Sequence, residues 1–375
     1  LKILNRVQTE SGAKVLLALK AFSMFSLAPL ITKYLSGTCS SGLHEARLAH
    51  DEFSGGKDGQ ELHVFSAAYS EQDFLEICEI ANHVVFNSIT QWLRFQPLVK
   101  QALLKRPELD FALRINPEHS EGAADIYNPC AAGSRLGIVA STLNEFAALT
   151  KGELEGISGL HFHTLCEQGF EELDRTLTAV EEKFAPYLKK MKWINFGGGH
   201  HITHPSYNVD GLIERVKKFQ ADHNVQVYLE PGEAIAIHTG VLVSEVLDLG
   251  FNSLDIAILD TSATCHMPDT LEMPYRAQII SGDGQFAGEA NEKPYTYRLG
   301  GQTCLAGDVM GDYSFEQPLV VGQRLMFDDM SHYTMVKTST FNGIALPAIA
   351  IWNSQTDAVQ VVKEFGYEDF KNRLS

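Results

Sequence analysis

Lys14-Val15-Leu16-Leu17-Ala18-Leu19-Lys20 is a short apolar run bounded by two lysines and followed at once by Ala21-Phe22-Ser23. The run reads as a buried strand. An amine on the last residue of an apolar strand points into whatever site lies at that strand's mouth. Desolvated there, Lys20 loses part of its preference for the ammonium form and becomes a usable nucleophile, able to form a Schiff base. Taken alone, a lysine at a strand end more often just reaches solvent, so its surroundings decide.

Outward from this stretch the chain alternates. Short apolar runs at 14–20, 34–38, 62–66, 84–87, 110–115, 159–163, 193–196 and 225–230 are separated by amphipathic segments at 43–50, 71–80, 89–104, 143–149, 170–191 and 209–223. Strand and helix in such alternation predict a (β/α)8 barrel over residues 1–233, with an open doubly wound sheet as the alternative. Beyond it, residues 234–375 turn to short strand-like runs (241–249, 255–259, 277–281, 295–299, 324–327 and 348–352) with little helical periodicity, which predicts a mostly-β domain sharing a substantial interface with the barrel. Leu1 to Val7 read as the middle of a helix, so an upstream segment, with a first strand, is expected before residue 1.

Composition is that of a globular protein, 45% apolar and 21% charged. No apolar run is long enough to span a membrane, and no signal peptide is recognised. Six cysteines are scattered without CxxC spacing, which argues against a disulfide framework or a metal site and makes a reducing cytoplasm the default. A net charge of −17 disfavours nucleic acid and anionic membranes and would draw a polycationic small molecule.

In a barrel of this kind the chemistry sits where the strands end. Lys20 ends the first strand, Arg114 lies on the fifth, and His161-Phe162-His163 ends the sixth. The seventh runs into Gly197-Gly198-Gly199-His200, and the eighth ends in Glu230-Pro231-Gly232-Glu233. A triple glycine lets backbone amides approach a phosphate, though a tight turn would use it too. A carboxylate in an apolar strand, Glu230, needs a cationic or donor partner, and a protonated pyridine nitrogen would suit it. His163 reads as a satisfied core histidine or as a ring that stacks on another flat ring. Together these are the needs of pyridoxal 5′-phosphate.

The motifs resemble those of the alanine-racemase-fold (fold type III) decarboxylases, the family of ornithine, arginine and diaminopimelate decarboxylases, over nearly the whole length. Leu17-Ala18-Leu19-Lys20-Ala21 is similar to the cofactor-lysine segment, Phe162-His163 to the motif whose histidine stacks on the pyridine ring, and Glu230-Pro231-Gly232 to the one whose glutamate pairs with the ring nitrogen. Gly301-Gln302-Thr303-Cys304 resembles the segment whose cysteine reaches the active site from a partner subunit. Asp329-Met330-Ser331-His332-Tyr333-Thr334 resembles the segment whose tyrosine contacts the cofactor phosphate. The resemblance implies catalytic roles for Lys20, His163 and Cys304, a homodimer with shared sites, and cofactor contacts from Lys20, Arg114, His163, Gly197, Gly198, Gly199, Glu230, Gly232 and Tyr333.

Departures narrow it. The arginine that follows Glu-Pro-Gly in ornithine decarboxylases is here Glu233, the aspartate after their cysteine is Leu305, and the Cys-Glu-Ser pattern of diaminopimelate decarboxylases is absent. With Met267-Pro268-Asp269 and Thr303-Cys304-Leu305-Ala306-Gly307-Asp308, the chain resembles the carboxynorspermidine/carboxyspermidine decarboxylases of polyamine biosynthesis. That resemblance implies substrate contacts from Glu233, Asp269 and Asp308. An anion where relatives hold a cation is what a cationic substrate wants; Asp269 reads otherwise as a turn residue after proline. Another basic amino-acid decarboxylase, a racemase of the same fold, and a non-catalytic cofactor-binding relative remain as alternatives.

Overall fold

The computed structural model describes residues 1–121, 128–150 and 154–375. By its internal contacts the chain divides into two compact units, Leu1–Ile235 and Ala236–Ser375.

In the first unit, strands β1 (Lys14–Ala18), β2 (Gly37–Ser40), β3 (Glu61–Phe65), β4 (His83–Phe86) and β5 (Asp110–Asn116) run parallel in chain order. A two-residue strand β6 (Ile138–Val139) pairs only with the end of β5. Strands β7 (Gly159–His161), β8 (Trp193–Asn195) and β9 (Gln226–Leu229) complete the order, and β9 pairs back onto β1, closing an eight-stranded parallel barrel. The barrel reading is thus correct and the open sheet is excluded. All eight apolar runs hold a strand; the second lies at Gly37–Ser40 because Tyr34 and Leu35 donate their amides to Ile31 in a helical turn.

Three of the helices between the strands start at a side-chain cap. Ser70 and Ser88 accept from the amides of Asp73 and Gln91 at the starts of α4 (Glu71–Ile80) and α5 (Ile89–Lys105). Asn208 does the same for α8 (Val209–His223), which Asn224 ends in the left-handed region at φ 55°. Among the described residues no helix is long and apolar enough to cross a membrane.

The barrel interior sets the phase of every strand. Leu16, Val85, Ala112, Trp193 and Tyr228 form one buried cluster, with Cys39 and Phe65 packed against it. Residues from strands this far apart around the barrel meet only on its axis. Since side chains alternate along a strand, the inward set follows. Lys14, Leu16 and Ala18 face in on β1, Glu61, His63 and Phe65 on β3, and Asp110, Ala112 and Arg114 on β5. Gly159 and His161 do so on β7, and Trp193 and Asn195 on β8. The axis is apolar only at its middle; polar groups crowd both ends.

The second unit contains strands β10 (Leu242–Phe251) and β11 (Asp255–Leu259), helices α10 (Ala263–His266) and α11 (Asp269–Glu272), and strands β12 (Ile279–Ser281), β13 (Tyr295–Gly300), β14 (Val309–Phe315) and β15 (Arg324–Phe327). These strands form one sheet, ordered β12-β15-β10-β11-β13-β14, around a core that includes Leu259, Leu299, Tyr313 and Phe327. Strands β16 (Ile349–Asn353) and β17 (Ala358–Lys363) form a separate hairpin.

Candidate active site

Glu230 stands one residue past β9, at the C-terminal mouth of the barrel, with its side chain 12% exposed. Asn195 on β8, fully buried, donates Nδ2–H to Glu230 Oε1 at 2.6 Å and accepts the Gly197 amide at Oδ1 at 2.8 Å. His161 Nε2 lies 3.3 Å from Oε2. Burial works to raise the Glu230 carboxyl, but His161 and Asn195 outweigh it and hold it low, at about 2. Burial pulls His161 itself down, against the attraction of Glu230. At neutral pH the carboxylate is therefore ionised, and its direct partners are an amide, an uncharged imidazole and the Cys39 thiol.

His163 closes one side. Its Nδ1 accepts the Gly198 amide at 3.0 Å. Burial, then the charges of Lys20 and Arg114, push its pKa well below the usual histidine range. It is neutral, with the proton on Nε2. Arg114, 5% exposed, lays its guanidinium 4.5 Å from the Phe65 ring centroid and donates to the His163 carbonyl at 3.2 Å; burial brings its pKa down to about 10.

The glycine run is shaped by these neighbours. Gly199 has φ +86°, and a Cβ there would stand 1.9 Å from the Leu165 carbonyl oxygen. The amides of Gly197 and Gly198 are taken by Asn195 and His163. Buried side-chain acceptors thus take two of the three amides in the glycine run.

Lys20 is placed differently from expectation in two ways. β1 ends at Ala18, so Lys20 lies in the turn that follows, and it is exposed rather than desolvated. Its charge is felt by Cys39, His161 and His163. The turn is fastened to the Glu230 loop by the Ala18 amide, which donates to the Pro231 carbonyl at 3.0 Å. A Cβ on Gly232 would come within 2.5 Å of the Ala21 Cβ, so only glycine permits this approach. Glu233, the first residue of the short helix α9 (Glu233–Ala236), lies with Oε2 3.4 Å from His201 Nε2.

The remaining expected residues lie in the second unit. Cys304 is exposed, with its amide donating to Asn342 Oδ1 at 2.9 Å. Tyr333 sits at φ 44°, a strained conformation for a bulky residue and one that recurs at functional sites. Asp269 is buried and ion-paired to Lys337, which also reaches Glu272 at 3.1 Å. Asp308 is buried as well. Its carboxylate accepts from Ser262 Oγ, from the Thr264 amide, and from the Thr303 amide and hydroxyl, at 2.8–3.2 Å. Those bonds hold the Cys304 loop in place.

A family model described as "Pyridoxal-dependent decarboxylase, C-terminal sheet domain" matches residues 38–331. The chain belongs to the pyridoxal-dependent decarboxylases. It is similar to the carboxynorspermidine/carboxyspermidine decarboxylase of Campylobacter jejuni, at 41% identity over 99% of this chain and 94% of that protein. It is 43% identical to the carboxyaminopropylagmatine decarboxylase of Synechocystis, over 100% of this chain and 92% of that one. Its fold superposes with a TM-score of 0.85, at 40% identity over 99% of this chain and 95% of the other, on the crystal structure of the Campylobacter jejuni carboxynorspermidine decarboxylase complexed with norspermidine.

The decarboxylase uses pyridoxal 5′-phosphate, and the barrel mouth fits it. A buried, ionised Glu230 whose direct partners are uncharged calls for a cation, and a protonated pyridine nitrogen is one. His163 offers a neutral ring held in one orientation by the Gly198 amide. Sequence reasoning passed over Asn195 and assigned no role to His161 or Cys39. All three lie in the inward phase of their strands, the pattern that marks Glu230. Burial raises the Cys39 thiol, and the Glu230 carboxylate beside it adds to the effect.

Proposed function

We propose that this enzyme removes the α-carboxylate of carboxynorspermidine or carboxyspermidine, giving norspermidine or spermidine. The observation that supports it most is near-full-length likeness to an enzyme whose crystal structure contains norspermidine. When bound, the cofactor supplies the electron sink that accepts the bond pair as carbon dioxide departs. The chain's residues do the rest. Lys20 provides the amine that holds the cofactor, and Glu230, fixed by Asn195, keeps a proton on the ring nitrogen. Arg114 and the glycine loop support His163 against the ring, and Tyr333 contacts the phosphate. Glu233 and Asp269 meet the substrate's ammonium groups; Asp269 already holds one ammonium, that of Lys337. Cys304, exposed on its own chain, reaches the site of a second copy and delivers the proton to the product carbon, so the working unit is a homodimer. The scattered cysteines, none of them paired among the described residues, suit a cytoplasmic enzyme.

A second reading has its own support. The 43% identity to a carboxyaminopropylagmatine decarboxylase brings in a substrate that ends in a guanidinium instead of an ammonium. Carbon dioxide release measured in parallel on carboxynorspermidine, carboxyspermidine, carboxyaminopropylagmatine, ornithine and diaminopimelate decides between them. Preference for either carboxytriamine supports the proposal, and preference for the guanidino compound replaces it with the second reading. Turnover of ornithine or diaminopimelate alone refutes both.

A further inference from the structure

The N-terminal end of the barrel, away from the mouth, holds chemistry the active site does not use. Glu61 opens β3, and His63 follows two residues on, in the same inward phase; His83 opens β4 as the Cα partner of His63 across the parallel ladder. Each side chain offers one ligand atom, and the three atoms lie within 4.8 Å of one another. The imidazole rings stand 4.0 Å apart, and His63 Nε2 lies 3.1 Å from Glu61 Oε2. His63 and His83 are 1% and 8% exposed, and the Nδ1 atom of each has no hydrogen-bond partner. Two orphaned ring nitrogens in one packed cluster cost free energy that a bound cation would recover. Asp110 Oδ2 lies 3.9 Å from His83 Nε2, a further carboxylate beside the cluster but outside hydrogen-bond distance.

We propose that Glu61, His63 and His83 form a binding site for a divalent transition metal of the zinc class, which clips β3 to β4 at the closed end of the barrel. Two imidazoles and a carboxylate are the donors zinc and cobalt take, with a fourth position left for water. Calcium and magnesium, which prefer all-oxygen shells, are poorly served. Two groups compete for Glu61. The Lys14 ammonium pairs with it, and the Tyr228 hydroxyl bonds it. Lys14 is 39% exposed and can turn to solvent as the metal enters. Lys192, paired with Asp110 at 3.1 Å, is the other cation nearby. The face opposite the chemistry is where a barrel places features that serve stability.

Cobalt(II) is the probe, added to the cofactor-loaded enzyme and read by its visible absorption apart from the cofactor band. One equivalent should give the d–d bands of a four- or five-coordinate nitrogen/oxygen site, zinc should displace it, and either metal should raise Tm. His83→Gln and Glu61→Gln should abolish both effects, while Lys14→Met, which removes the competing ammonium, should tighten cobalt binding about tenfold. If His83→Gln does not fold, Glu61→Gln and Lys14→Met, both at half-buried positions, still decide. Absence of bands in both wild type and Lys14→Met overturns the proposal, as do bands that persist in Glu61→Gln.

Discussion

Asn195→Ala tests the site at the residue that ties it together. The Nδ2–H bond to the Glu230 carboxylate is charge-assisted, and losing such a bond costs about 1.5–3 kcal/mol. At ~1.4 kcal/mol per pKa unit, the same loss raises the Glu230 pKa by about one to two units. Starting from about 2, the carboxyl then remains ionised at pH 7. The substitution therefore removes aim without removing charge: the carboxylate swings, and the Gly197 amide loses its acceptor. The assay is titration of the variant with pyridoxal 5′-phosphate, followed by absorbance from pH 6 to pH 8. Affinity should fall roughly tenfold to a hundredfold, while the band stays independent of pH over that range. A Kd within twofold of wild type would show that Asn195 does no more than fill the barrel. A band that titrates near neutrality would show that Glu230 had lost its charge, refuting the balance of burial against partners argued here.

Other outcomes follow from the same geometry. His200, buried and bonded through Nδ1 to the Tyr207 hydroxyl at 2.7 Å, is pulled by burial from 6.5 down to about 3, so the unfolded chain binds a proton that the folded chain refuses. Its stability contribution is whole above pH 6.5 and shrinks as the pH falls. Wild type should lose ~2 kcal/mol more than His200→Gln between pH 7 and pH 5 in urea unfolding, and equal losses would contradict the assignment. Lys20→Ala should abolish the cofactor band that sodium borohydride fixes to the protein; a reducible band that survives removes Lys20 from its role. Mixing Lys20→Ala with Cys304→Ala protein should restore partial decarboxylation, whereas two inactive partners that stay inactive together count against a shared site. Glu233→Gln should raise KM for a carboxytriamine about tenfold or more with the cofactor spectrum unchanged, and a bleached cofactor would place Glu233 against the cofactor instead.

Much of this architecture is legible in the chain because burial writes it there. β1 and β4 lie almost wholly inside the protein, so after a polar first residue, Lys14 or His83, each is an unbroken apolar run. β2 is legible only to within three residues, since Leu35 is as buried as a strand residue yet belongs to a helical turn. In the second unit, β14 and β17 escape because Val309–Phe315 mixes glycine and aspartate into its pattern and Ala358–Lys363 is largely exposed. Ionisable residues out of place in apolar strands, Glu230 and Arg114, announce the site. Asn195 does not, because an amide between Ile194 and Phe196 carries no charge to mark it, and only counting its phase from Trp193 reveals it. Whether a carboxylate is spent locally is a matter of three-dimensional neighbours, and no spacing would separate Asp308, held by its loop, from Glu233 at the barrel mouth.

The shared inward phase of β1 has an evolutionary consequence. Lys14 at one end and Ala18, on the approach to Lys20, at the other stand on one alternating ladder. Substitutions within the strand can be absorbed one at a time, but a single-residue insertion or deletion between them would turn one end of the barrel inside out relative to the other. Descendants of this chain can therefore drift freely in composition along β1 while its length between the two lysines stays fixed. Comparing indel tolerance with substitution tolerance in a saturation library of residues 14–20 would expose that asymmetry directly.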